Sequence, residues 1–163
     1  MKPIKDNTLC LTINQAHFND IISGKIKSVG REIKDTTYKK YLLTWHEDGH
    51  TRLYYNESLL PGDPVSEIYI YNNGIYPYLP VEYKFLSLAV GADGERDILI
   101  VEIEDITFQP ALQKNGYPIR FNMIDDEFKP CKNGNYCFWN IVYHLGKVIE
   151  IKHKRSGREN IIL

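Results

Sequence analysis

The sequence predicts an α+β fold: a small mixed β-barrel flanked by one short N-terminal helix and interrupted by loop insertions. Three observations point there. Only one early stretch keeps a helical spacing of apolar residues. About seven short segments rich in Val, Ile, Tyr and Thr follow it, bounded by Gly, Pro and Asn. The repeated helices that parallel crossovers require are missing. A length of 163 residues suits one domain, so 1–163 is read as a single domain with insertions near 56–80 and 109–135.

Asn14 is placed to cap a helix from Gln15 to Ser23, with Phe18, Ile21 and Ile22 on one face and Gly24 as the left-handed stop. Lys25 to Glu32, Tyr41 to Trp45 and Thr51 to Tyr55 read as strands between polar or Gly-containing turns. Ser66 to Tyr71 alternates Ile and Tyr, which predicts a strand ending at Asn72-Asn73-Gly74. Residues 72–80 hold two prolines and no period, so they form an ordered loop overhanging a site. Tyr83 to Val90 and Ile98 to Asp105 are the clearest strands, joined as a hairpin through Gly91-Ala92-Asp93-Gly94, and the second is central and buried. Residues 109–135, broken by Pro110, Gly116, Pro118, Pro130 and Gly134, read as loop with a helical turn near Met123 to Phe128. Tyr136 to His144 and Lys147 to His153 read as a strand pair turning at Leu145-Gly146, and Asn160 to Leu163 as a last short strand.

Composition excludes several classes. With 43% hydrophobic and 25% charged residues, wholesale disorder is excluded. The longest aliphatic run, Ile98 to Val101, is far short of the roughly 20 residues of a membrane-spanning helix, and the N-terminus lacks the apolar core of a signal peptide. Three cysteines, Cys10, Cys131 and Cys137, are too few for a disulfide framework and fit a reducing compartment. A soluble cytoplasmic protein is expected. Charge is uneven: residues 1–40 carry a net +4, residues 144–163 a net +3, and residues 41–143 a net −8. Basic ends brought together would face an anionic partner, although a pI near 6.5 argues against a generic DNA binder.

Motifs for common chemistries are missing. Gly91-Ala92-Asp93-Gly94 lacks the Lys and Ser/Thr of a phosphate loop, the five histidines show no paired ligand spacing on a helix, and Cys131 and Cys137 are too widely spaced for a zinc knuckle, so neither metal nor cofactor is expected. More informative is the junction after the helix, where strand alternation would put Lys25, Lys27 and Arg31 on one face. Three cations there must meet water, acidic side chains or an anionic ligand. An exposed edge strand protected by charge is the plainer alternative.

The early helix leading into Gly24-Lys25 and Gly30-Arg31 resembles the Gly-Lys-x-x-x-x-Gly-Arg signature of the ASCH family, in the PUA-like superfamily. The acidic-aliphatic strand Leu99 to Ile106 and the segment Tyr143 to Glu150 are similar to later family elements, so the likeness spans roughly residues 11–153. It implies a PUA-like β-barrel with a groove beside the first helix that binds RNA or a modified nucleoside. Some members are amidohydrolases acting on N4-acetylcytidine through a Lys-Thr pair and a distant Glu. Here the matching Lys and Thr positions are Ile26 and Lys27 and a family Glu position is Val29, so that arrangement is not carried over.

Two functions follow. The favoured one is an RNA- or nucleotide-binding module, with Gly24, Lys25, Lys27, Ser28 and Arg31 at the groove and Tyr41, Trp45, Tyr76 or Tyr78 offering stacking surfaces. The rival is a small amidohydrolase for a modified nucleoside such as N4-acetylcytidine, with Lys27 and Ser28 as the reacting pair and Glu102 or Glu104 handling the proton. A protein-interaction domain whose groove is filled by its own insertions, Ile75 to Pro80 for instance, is the third.

Overall fold

Leu9, Leu11 and Ile13 are buried while Cys10 is exposed, the period of two that makes Thr8–Ile13 a half-buried strand, β1. In the computed structural model, which describes residues 1–56, 61–91, 94–153 and 160–162, the chain is mostly β-sheet with one α-helix, an α+β fold. It divides into two compact units: Met1–Val29, Glu82–Ile106 and Tyr143–Leu163 form the first, and Gly30–Val81 with Thr107–Val142 the second. Among the described residues no helix is long and apolar enough to cross a membrane.

The predicted helix is present as α1, Gln15–Ile22. The Asn14 side chain accepts a hydrogen bond from the His17 N–H at 2.8 Å, and Gly24 ends the helix at φ +80°. Phe18 and Ile21 are buried, whereas Ile22 is 39% exposed and so does not belong to the buried face.

Thirteen residues of the second long strand replace the shorter one expected. β6 (Phe85–Val90) pairs in parallel with β1 and antiparallel with β7 (Ile98–Pro110), so the expected hairpin forms; Ala92 and Asp93 of its turn lie outside the described residues. β7 lies between β6 and β11 (Trp139–Lys152), and Leu99 and Val101 are fully buried, as a central strand requires. β2 (Ser28–Glu32) and β12 (Asn160–Ile162) both pair with β11, completing a six-stranded sheet. The strand pair expected around Leu145-Gly146 is instead this one continuous strand β11: Gly146 keeps an extended backbone, so no turn is made there. A closed barrel is not observed in this strand order.

The second unit holds two small antiparallel sheets. β3 (Thr44–Glu47) and β4 (His50–Tyr54) join through Asp48-Gly49, both at positive φ, and β5 (Pro61–Pro64) is an edge strand, where proline cost no ladder bond. β8 (Arg120–Ile124) pairs with β9 (Glu127–Pro130) and with β10 (Tyr136–Cys137). The helical turn expected near Met123 to Phe128 is therefore a hairpin, because Asp125 and Asp126 both take left-handed φ, 53° and 60°. The strand expected from Ser66 to Tyr71 is instead a 3-10 turn, Val65–Glu67, followed by irregular chain.

Residues 61–80 are not surplus to that unit. Ile68, Tyr76 and Tyr78 are buried, and the rings of Tyr76, Tyr78, Phe108 and Trp139 form one aromatic cluster. Their polar ends are satisfied: the Tyr76 hydroxyl donates to the Ile68 carbonyl at 2.8 Å, the Tyr78 hydroxyl to the Asp63 carboxylate at 2.6 Å, and Trp139 Nε1 to the Ile70 carbonyl at 2.8 Å.

Candidate functional site

The chain leaving α1 does not enter a strand at once. The N–H groups of Lys25 and Ile26 both return to the Asp20 carbonyl, at 2.9 and 3.1 Å, so these residues complete the helix terminus, and β2 begins only at Ser28. Lys25 and Lys27 thus precede the strand that carries Arg31, and the single strand face of three cations is not formed. The alternation rule needs extended backbone, and the helix cap uses up the residues to which it was applied.

What this terminus does form is a recess in the first unit. Gly24, Ile26 and Lys27 line it together with Ile21, Glu104 of β7, and Leu145, Gly146 and Val148 of β11, enclosing about 290 Å³. The Lys27 backbone is held by its carbonyl, which accepts the Leu145 N–H at 2.9 Å. Glu104 rests over bare backbone: a Cβ on Gly146 would stand 2.9 Å from Glu104 Cγ and 3.4 Å from Glu102 Cβ. Glycine is what lets the carboxylate reach this position. Neither Lys27 nor Glu104 forms an ion pair with another described residue, so both charges are available to a guest.

The remaining candidates are placed differently. Lys25 and Ser28 are exposed and do not line the recess; Glu102 is half-buried beside Gly146. Arg31, Tyr41 and Trp45 belong to the second unit. Arg31 is half-buried, with Nη1 donating to the Gly30 carbonyl at 2.8 Å. Tyr41 is only 4% exposed, and burial pushes its hydroxyl pKa up against the opposing charge of Arg31. Tyr76 and Tyr78 are only 3% and 0% exposed, so none of these three tyrosines presents an open ring face for stacking; within the 72–80 segment these two rings pack into their own unit's core, while Asn72 and Asn73 line a cleft of that unit. Trp45 is half-buried.

The residue that sequence reasoning undervalued is Gly146, read as a turn; the signal was a lone glycine inside a run of strand formers, which marks a close approach. No protein-family profile, curated protein or solved structure matches the chain.

Proposed function

We propose that the chain binds RNA or a nucleotide at the recess beside α1, and that its first unit belongs to a PUA-like barrel of the ASCH type. The observation that carries this reading is the convergence of Lys27 and Glu104 on one recess with aliphatic walls from Ile21, Ile26, Leu145 and Val148. About 290 Å³ lies just below the roughly 300–1,000 Å³ typical of ligand sites, a size for one base rather than an extended ligand. A carboxylate accepts from an exocyclic amino group such as cytosine N4, and an ammonium meets a phosphate or a ring carbonyl. Apolar walls hold a flat ring between them.

Fluorescence anisotropy with a short single-stranded RNA at rising salt tests the proposal. The expected result is binding whose logarithm falls linearly with log salt, weakened in Lys27→Met and in Glu104→Gln. Undetectable binding at low salt, or both variants binding as the parent does, would remove the reading.

The hydrolase alternative draws on the same pair, since Glu104 shares the recess with Lys27 and an acylated nucleoside would lie between them. Ser28 is outside that recess, which leaves Lys27 without its proposed neighbour. Turnover of N4-acetylcytidine by the parent, lost in Lys27→Ala, would support it; no product from the parent would end it.

A further inference from the structure

The second unit contains a cation that nothing in the first unit's function uses. Arg120, at the start of β8, is half-buried. Its Nε donates to the Gly134 carbonyl at 2.8 Å, and its guanidinium carbon lies 4.0 Å from the centre of the Tyr71 ring. No described carboxylate pairs with it. Stacking and one hydrogen bond therefore orient the group and, among the described residues, leave its two terminal nitrogens open, the fork that suits an oxyanion.

Two clefts of this unit share Tyr71 and Arg120. One, about 400 Å³, adds Glu67, Asn73, Asn135 and Tyr136. The other, about 730 Å³, adds Lys132, Tyr117, Gln113 and Asn133 and holds no carboxylate side chain. All three Asn-Gly steps of the sequence, Asn73-Gly74, Asn115-Gly116 and Asn133-Gly134, contribute their asparagine to one cleft or the other. The loop bearing Asn73 holds left-handed φ at three successive residues, Asn72, Asn73 and Gly74, at 45°, 55° and 82°.

We propose that the Arg120–Tyr71 wall is a second binding site, for a small ligand joining an oxyanion to a hydroxylated ring, the chemistry shared by sugar phosphates and sugar acids. The oxyanion goes to the larger cleft, where Arg120 and Lys132 supply positive charge and no carboxylate opposes it. The hydroxyls go to the smaller one, where Glu67 accepts and the Asn73 and Asn135 amides both donate and accept. Burial raises the Tyr136 hydroxyl pKa and the Glu67 charge adds to it, the same charge that keeps the anionic end out of that cleft.

Nitrogen-15 NMR titration of the full chain with ribose 5-phosphate, glucuronate, ribose and inorganic phosphate tests this. Expected are saturable shifts at Tyr71, Asn73, Arg120 and Asn135 with at least one of the two anionic sugars. Which one binds identifies the source of the oxyanion. Ribose and inorganic phosphate are each expected to bind at least about tenfold more weakly, the loss of one charge-assisted contact set. Arg120→Lys, which keeps the charge but loses the fork, is expected to weaken binding about tenfold. Should that variant not fold, the exposed positions decide: Asn73→Gly with Lys132→Met lowers affinity if the site is real. Inorganic phosphate binding as well as the sugars, no saturable shift with any probe, or unchanged affinity in the variants would overturn the proposal. Lys27→Met, in the first unit, is expected to leave these shifts intact; their loss would assign them to the other recess and overturn it as well.

Discussion

Gly134→Ala is a substitution whose cost the structure specifies from backbone geometry alone. Gly134 is buried between β9 and β10 and has an ordinary φ, so backbone conformation is no obstacle to alanine. Space is the obstacle. A Cβ there would run into the Phe121 carbonyl and stand 2.7 Å from the Phe121 nitrogen, and these are backbone atoms that no rotamer change moves aside. The neighbouring strand β8 would have to withdraw, disturbing its pairing with β10 and the hydrogen bond from Arg120 to the Gly134 carbonyl. Overpacking costs about 1–3 kcal/mol when side chains absorb it, so at least about 3 kcal/mol is expected when backbone must. For a chain of 163 residues that lowers Tm by about 6–12 °C. Gly30→Ala is the matched control, since its Cβ would lie 3.8 Å from the Ile141 carbonyl, ordinary contact, and alanine in a strand is favoured over glycine by about 0.5–1 kcal/mol. Thermal unfolding followed by circular dichroism compares the two, and a Gly134→Ala melting point within about 2 °C of the parent would refute the packing argument.

The remaining expectations concern caps, turns, tyrosines and thiols. Asn14→Ala removes the acceptor for the His17 N–H and is expected to cost about 1 kcal/mol in urea unfolding. Asp126→Gly relieves a left-handed residue at φ 60° in the β8–β9 hairpin and is expected to stabilise by a few tenths to about 1 kcal/mol in the same assay. Burial raises the Tyr76 and Tyr78 hydroxyl pKa values far above the ordinary tyrosine value, with the Asp63 hydrogen bond adding to it at Tyr78. A raised folded-state pKa gives stability that is complete below about pH 10 and lost as pH climbs above it. Tyrosinate absorbance from these two rings should therefore appear only together with loss of the sheet signal. Cys137, fully buried and with its thiol pushed up to about 12 by burial, should resist a thiol reagent at pH 8 that modifies exposed Cys10.

The legible parts of the fold are those set by local chemistry. Asn14 and Gly24 bracket α1 because capping and left-handed termination are properties of single residues. Leu99 and Val101 read as central because apolar side chains occupy both faces there, and both are fully buried. What failed was context. Ser66 to Tyr71 alternates like a strand, yet Ile68 is buried in a turn, and Asp125-Asp126 closes a hairpin without the glycine that usually announces one. β1 alternates cleanly before the helix, but its partner β6 comes much later in the chain and only that parallel pairing fixes its place.

The candidate sites divide along the same line. Lys27 was legible because a helix stop followed by cations is a short-range pattern, but Glu104 became its neighbour through the pairing of β7 with β11, and Gly146 was legible only as an interruption. Arg120 gave no local signal at all. It follows a proline-rich stretch and meets Tyr71 only through tertiary structure, while the Asn-Gly steps around it read singly as turns. Their common destination points to function: forming turns scatters asparagines singly over a surface, but these three line clefts that share one oriented guanidinium with no described carboxylate paired to it, a polar lining that turn formation alone does not require.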